Sequence, residues 1–327
     1  METPALYFRT DVIENNLANL RAAFGPDGKI LFSVKAFPEL SFLEFIDPLI
    51  DGFDVSNNLE IDLISHLKAT LISVAGPMAV MTDRSFSGKN SLVYANSIDD
   101  LKKSHSGRGN MRICVTDFVN KKSFVHGSRF GVRKKELMSA IEKFDRLAFH
   151  FHAPASKMVN RNMMSGFLKF LKHFGIDLSR IEVINLGGGW GGTSFRRLKI
   201  LHDFIKKEIA CEVHIEPGSG LLAGAGLAMT RVLNCRKVGD TNYVTLDLSP
   251  ELHLRWSSPA FLDQNLHGAD RILLCGPTCF EGDYVEVRGN FDAVCASEVI
   301  VLEGIVSYSS SWNTSFNGIS QVPVIID

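Results

Sequence analysis

The chain has 327 residues, 45% of them hydrophobic and 22% charged, with a formal net charge of −1. This composition is globular and long enough for one large domain or two moderate ones. Near-zero net charge with intermixed signs gives no field for drawing in nucleic acid or an anionic membrane, and no stretch approaches the ~20 apolar residues of a membrane span.

In chain order, "ALYF" reads as a short strand, and Asp11 is a candidate N-cap for "VIENNLANLRAAF", where Ile13, Leu17 and Leu20 recur at helical spacing. The turn "GPDG" leads into "KILFSVKAF", a buried strand ending near Lys35. A helical stretch to about Pro48 follows, then the strand end "GFDVS" and a helix from Asn58 to Leu67. The runs "TLISVAG", "SLVYAN", "NMRICVT", "RLAFHFH", "IEVINLGGG" and "CEVHIEPG" continue the series. Strands alternating with helices predict parallel βαβ units, in a doubly wound sheet or a (β/α) barrel. Beyond about residue 226 the texture becomes β-rich with tight turns, which predicts a second, mostly antiparallel β domain.

The opening "METPALYFRT" lacks the basic and then apolar pattern of a secretory signal. Cysteines at 114, 211, 235, 275, 279 and 295 form no C-x-x-C pair and have no histidines at zinc spacing. Free thiols, a cytoplasmic location and no metal site are therefore expected. His66, His105 and His126 read as surface residues, and Trp190 as loop packing.

The informative polar residues fall where the apolar runs end. Lys35 closes "FSVK", Asp54 lies in "GFDVS", Arg112 in "MRICV", His152 in "FHFHAP" and Glu216 in "HIEPG". In a βα barrel, chemistry gathers at these C-terminal strand ends, and a lysine there is costly to bury unless paired or used. "VINLGGGWGG" satisfies the dinucleotide fingerprint at Gly187, Gly189 and Gly192. That site, however, would place its glycines beside a first strand, and these arrive six strands late. A lysine amine, a glycine loop offering amides to a phosphate, a carboxylate for a ring nitrogen and an imidazole together suggest pyridoxal 5′-phosphate.

With the motifs "FSVKAFP", "FDVSNNLEI", "SRFGV", "FHFH", "INLGGGWGG", "IEPGSG", "GPTCFEGD" and "SYSSSWNTSFNG" in this order, the chain resembles the fold-type III pyridoxal-phosphate decarboxylases. That group contains the ornithine, diaminopimelate and carboxynorspermidine enzymes, and the resemblance runs from about Thr3 to the C-terminus. It implies a (β/α)8 TIM-like, alanine racemase-like barrel over residues 10–226. A β domain formed by 227–327 with an N-terminal strand, 1–9, would follow. The implied activity is decarboxylation of an L-amino acid, with alanine-type racemization or non-catalytic cofactor binding as the alternatives.

The resemblance makes Lys35 the Schiff-base lysine and His152 the ring-stacking imidazole, with His150 two residues away as the other candidate. Gly187, Gly188, Gly189, Gly218 and Tyr308 would bind the phosphate, and Glu216 the pyridine nitrogen. Asp54 and Arg112 would orient lysine and cofactor. Cys279 would protonate the α-carbon across the interface of a head-to-tail homodimer.

Departures bear on substrate. Phe37 replaces the usual asparagine, and Pro154 and Ala155 replace a small "GS" pair, with Ser156 as a possible substitute hydroxyl. Ser219 stands where diaminopimelate enzymes carry an arginine for a distal carboxylate. Phe280 replaces an acid, which leaves Glu281 or Asp283 to meet a distal ammonium. Asp247, Ser249 and His253 in "LDLSPELHL" look most like the carboxynorspermidine branch, which implies a conjugated or non-standard substrate such as an aminocarboxypropyl compound. The chain stops soon after "FNG", where the family continues, so it is either compact or a portion of a longer polypeptide.

Overall fold

The computed structural model describes residues 3–79, 89–103, 107–119, 128–153 and 156–327. His105, His126, Pro154 and Ala155 lie outside the described residues, as does the side chain of Ser156. The chain divides into two compact units. One comprises the N-terminal segment up to Asn16, Ala36–Ser41 and Leu222–Asp327; the other comprises Leu17–Lys35 and Phe42–Leu221.

Strand β1 (Ala5–Phe8) belongs to the first unit, and helix α1 (Thr10–Phe24) begins there and ends in the second. The helix starts one residue before Asp11, so this carboxylate lies in the first turn, where it complements the helix dipole instead of capping it.

The second unit alternates strands and helices. In order these are β2 (Gly28–Ser33), α2 (Leu40–Ile46), β3 (Gly52–Val55), α3 (Asn58–Ile64), β4 (Leu71–Ala75), β5 (Asn90–Tyr94), α4 (Ile98–Lys103) and β6 (Arg108–Arg112). Then follow α5 (Lys134–Ile141), β7 (Arg146–His150), α6 (Arg161–His173), β8 (Ile181–Asn185), α7 (Phe195–Glu208) and β9 (Glu212–Ile215). All neighbouring strands are parallel, in the order β5-β4-β3-β2-β9-β8-β7-β6. The two edges meet where Ala95 N–H donates to the Asn110 carbonyl at 3.0 Å and Arg112 N–H to the Ala95 carbonyl at 2.9 Å. The result is a nearly closed (β/α)8 barrel.

Strands buried on both faces need continuous apolar runs, and "LISVA" and "RLAFH" supply them. Ala75, Leu92, Tyr94, Ala148 and Val183 form one buried cluster of the barrel. Local polar residues set where helices begin. Asn57 caps α3 by accepting from Glu60 N–H at 3.0 Å, and Asn160 caps α6 by accepting from Asn162 and Met163 N–H.

The first unit is built on one sheet. Its further strands are β10 (Gly226–Val238), β11 (Thr241–Leu246), β12 (Ala260–Phe261), β13 (Asp270–Cys275), β14 (Tyr284–Gly289), β15 (Val299–Ile305) and β16 (Val324–Ile326). They run in the order β12-β15-β10-β11-β13-β14, with β1 pairing β10 and β16. Only the β1–β16 and β11–β13 pairs are parallel, so the sheet is mostly antiparallel.

The expectation of free thiols does not hold for one pair. Cys235 of β10 and Cys295, at the end of a short helix α8 (Phe291–Cys295), are joined by a disulfide with Cα atoms 5.9 Å apart. Their sequence separation of 60 residues carries no local signal. Cys114, Cys211, Cys275 and Cys279 are free. Among the described residues no helix is long and apolar enough to cross a membrane, and no group of three or more His, Cys, Asp or Glu is placed to hold a metal ion.

Candidate active site

Lys35 lies just beyond strand β2, in a 3-10 turn over Val34–Ala36, so the side chain leaves the barrel wall at the strand's C-terminal end. Its Nζ donates to Asp54 Oδ2 at 2.7 Å and to Ser33 Oγ at 2.8 Å, and Ser33 Oγ donates to the same Asp54 oxygen at 2.5 Å. Asp54 is 1% exposed whereas Lys35 keeps 39% of its side chain accessible, so the carboxylate is the more firmly fixed partner. Burial and the charge of Glu216 push the Asp54 carboxyl up to about 6, against the lowering pull of Lys35.

Glu216 follows strand β9 and is buried to 2% exposure. Its Oε1 accepts from Ser73 Oγ and from Asn185 Nδ2, both at 2.6 Å, and its Oε2 pairs with His150 Nε2 at 2.9 Å. A carboxylate only accepts, so His150 carries its proton on Nε2. Burial alone would raise the Glu216 pKa. The His150 ring and its hydrogen bond, with Lys35 and Ser73, outweigh burial and hold the carboxyl well below its ordinary value.

His152 stands parallel to His150, at 4° between ring planes and 6.2 Å between centroids. Its Nδ1 accepts from Gly188 N–H at 3.1 Å. Burial, then the neighbouring His150 and Arg112, bring its pKa down to about 3, so the ring is a neutral flat surface at physiological pH. The glycines behind it permit this approach. A Cβ on Gly187 would meet the Phe151 carbonyl at 2.7 Å, and one on Gly188 the Glu216 carbonyl at 2.9 Å. Gly187 and Gly189 also adopt φ of 62° and 85°, in the left-handed region glycine favours.

Arg112 is 8% exposed and places its guanidinium 4.4 Å from the centroid of Phe130. Lys35, Asp54, Arg112, His150, His152 and Glu216 all line one cavity of about 400 Å³ within the barrel unit. Asp54 Oδ1 and Arg112 Nε are buried without a hydrogen-bond partner among the described residues. Gly187 N–H donates to Asn185 Oδ1 at 2.9 Å, so this amide and that of Gly188 already bond within the barrel. Gly218 is buried, and its carbonyl accepts from Leu221 N–H.

The remaining expected residues belong to the other unit. Cys279 is exposed, its N–H bonded to Asn317 Oδ1 at 3.2 Å. Phe280 is 52% exposed and Glu281 is exposed too. The ring of Tyr308 meets Trp256 edge-on at 5.6 Å. Asp283 requires a correction. It is 4% exposed, with Oδ1 accepting from Ser249 Oγ and Glu251 N–H and Oδ2 from Thr278 Oγ1 and N–H. A Cβ on Gly276 would fall 2.1 Å from its Oδ2. The side chain is a buried clasp between loops, so it is not the free charge that would meet a substrate ammonium.

No protein-family model matches the chain. A diaminopimelate decarboxylase of Helicobacter pylori strain J99 is 23% identical over 367 residues, spanning 97% of this chain and 88% of the relative. That of Staphylococcus aureus strain COL is 29% identical over 140 residues, 36% of this chain and 32% of the relative. Among solved structures, the Paramecium bursaria Chlorella virus arginine decarboxylase covers 100% of this chain and 96% of its own, with 16% identity and a TM-score of 0.77. The chain is a homologue of the fold-type III decarboxylases.

In this homologue, several residues that shape the cavity escaped the sequence reading. Ser33, Ser73, Tyr94 and Asn185 are all buried in the barrel unit, and Tyr94 packs on His150 at 5.1 Å. Ser73 in "LISVA" and Asn185 in "VIN" are polar residues in otherwise apolar strands, the same signal that singled out Lys35. Tyr94 reads as an ordinary strand aromatic, and no local pattern marks it.

Proposed function

We propose that the chain is a pyridoxal-phosphate-dependent L-amino-acid decarboxylase that uses the barrel cavity as its active site. The observation that carries this reading is the amine of Lys35, held on buried Asp54 in the same cavity as ionised Glu216 and neutral His152. The residues lining the cavity fit the cofactor's ring. Lys35 would hold its aldehyde carbon, Glu216 its ring nitrogen and His152 its ring face, and the 187–189 loop and Gly218 of the same unit are proposed for its phosphate. The buried Arg112 guanidinium supplies positive charge in the same cavity.

Pyridoxal 5′-phosphate, when bound, supplies an electron sink for the pair left behind as the α-carboxylate departs as carbon dioxide. The chain's own groups manage protons and orientation. Asp54 Oδ2, 2.7 Å from Nζ, can hold the proton that Lys35 must lose before its amine acts as a nucleophile. Glu216, kept anionic by three donors, favours a protonated ring nitrogen. Cys279 is the proposed donor of the replacing proton at the α-carbon, supplied from the second copy in a head-to-tail homodimer. Its exposure on its own unit supports that role.

Ser219 in place of the family's arginine, and exposed Phe280 in place of an acid, favour a substrate without a simple distal carboxylate or ammonium. An aminocarboxypropyl conjugate, whose α-amino-acid end is attached to a larger group, is the substrate class put forward. The test is carbon dioxide release from a panel of α-amino acids and aminocarboxypropyl amines with the cofactor supplied. Release from at least one supports the reading. α-Proton exchange with inversion and no release would replace it with racemization.

Asp54 also predicts a pH profile. Its raised pKa means that it takes up a proton as the pH falls through about 6, and the charge partnering Lys35 disappears. We expect kcat/KM to decline on the acid side around that pH. Asp54→Asn should lower the plateau by ~10–100-fold and remove that limb. A limb unchanged in the variant would assign it to another group.

A further inference from the structure

The carboxylate proposed for the ring nitrogen and the loop proposed for the phosphate are joined by a closed circuit of contacts. Asn185 is fully buried at the end of β8. Its Nδ2 donates to Glu216 Oε1 at 2.6 Å while its Oδ1 accepts from Gly187 N–H at 2.9 Å, so one side chain grips both. On the far side Glu216 Oε2 holds His150, whose ring lies parallel to His152, and His152 Nδ1 accepts from Gly188 N–H. A further backbone bond, from Glu216 N–H to the Gly187 carbonyl at 2.8 Å, closes the loop onto the carboxylate's own residue. A buried amide with both ends engaged has little freedom, because leaving either partner unsatisfied costs about 1–3 kcal/mol.

We infer that Asn185 is a positioning residue that couples the phosphate loop to Glu216, and that His150 is a positioning residue for Glu216 alone. The inference rests on the cofactor reading above and goes beyond it by giving these two side chains separable jobs. Asn185 sets the conformation of the first loop glycine and the orientation of the carboxylate together. His150 lies on the other carboxylate oxygen and touches the loop only through the stacked His152. Removing Asn185 should therefore weaken recognition of the phosphate in particular, whereas removing His150 should weaken the ring-nitrogen end without discriminating by phosphate.

The discriminating probe pair is pyridoxal 5′-phosphate and pyridoxal, which differ only at the phosphate. Their equilibrium affinities for the full chain are measured by quenching of intrinsic fluorescence, which needs no turnover. In Asn185→Ala the preference for the phosphorylated probe should fall about tenfold relative to wild type, the size of one lost hydrogen bond to a charged or preorganised group. In His150→Ala both affinities should fall together, leaving the preference within about twofold. If Asn185→Ala melts too low for titration, Asn185→Ser, which keeps a small polar group at the site, takes its place with the same expected direction. An unchanged preference in a folded Asn185 variant would overturn the coupling. So would a loss of preference in His150→Ala equal to that in the Asn185 variant. A wild-type chain that binds neither probe would instead remove the cofactor reading beneath the inference, an outcome plainly distinct from the other two.

Discussion

Replacing Lys35 by alanine is expected to abolish carbon dioxide release, a fall of at least ~10,000-fold, while leaving a folded barrel. The side chain is 39% accessible and contributes a surface of the cavity more than a part of the core. Its removal leaves the Ser33–Asp54 bond in place, so Asp54 keeps one donor. Without the ammonium, burial and the charge of Glu216 are opposed at Asp54 by the Ser33 hydrogen bond but no longer by Lys35, and the carboxyl should be protonated over a wider pH range. The variant then stores a neutral acid where the wild type holds an ion pair, which the fold tolerates. A variant retaining more than a few per cent of wild-type release would remove Lys35 from the centre of the mechanism.

The second large effect belongs to Glu216. Glu216→Gln is expected to bind the cofactor yet lower kcat by ~100–1,000-fold, because a neutral amide no longer favours a protonated ring nitrogen. The substitution is nearly isosteric. The Gln carbonyl can still accept from Ser73 and Asn185. Its amide can donate to His150 Nε2 if that ring moves its proton to Nδ1, which has no hydrogen-bond partner among the described residues. Stability supplies a second readout with a definite sign. Glu216 has its folded pKa depressed, so it contributes stability above its unfolded pKa, and that contribution disappears only as the pH falls towards the folded value. The Gln variant should lose this pH-dependent part, so its stability relative to wild type should be worst near neutrality and converge in acid. Activity within threefold of wild type would contradict the assigned role.

Much of this arrangement could be read from the chain because the barrel repeats one physical rule. Several apolar strand runs end in or beside a polar residue, and that pattern marks Lys35, Asp54, Arg112 and Glu216 in the sequence. All four line one cavity. Asn185 ends β8 in the same way and Ser73 lies within β4, yet serine and asparagine are common enough in strands and turns that the sequence does not show their burial. His150 and His152 show a different limit. Their two-residue spacing predicts a shared face, and their rings are parallel, but the chain cannot say that one grips Glu216 while the other meets Gly188. The Cys235–Cys295 bond depends on bringing a long strand against a distant short helix, and the Asp283 clasp on the 249–251 segment meeting the 276–283 loop. Contacts at such separations leave no periodic or local trace.

The most direct test of the account is to incubate the chain with pyridoxal 5′-phosphate, reduce with borohydride, and map the modified peptide by mass spectrometry. The account predicts one phosphopyridoxyl group per chain, located on Lys35 and absent from Lys35→Ala. Modification spread over surface lysines, or a single label on any residue other than Lys35, would contradict it.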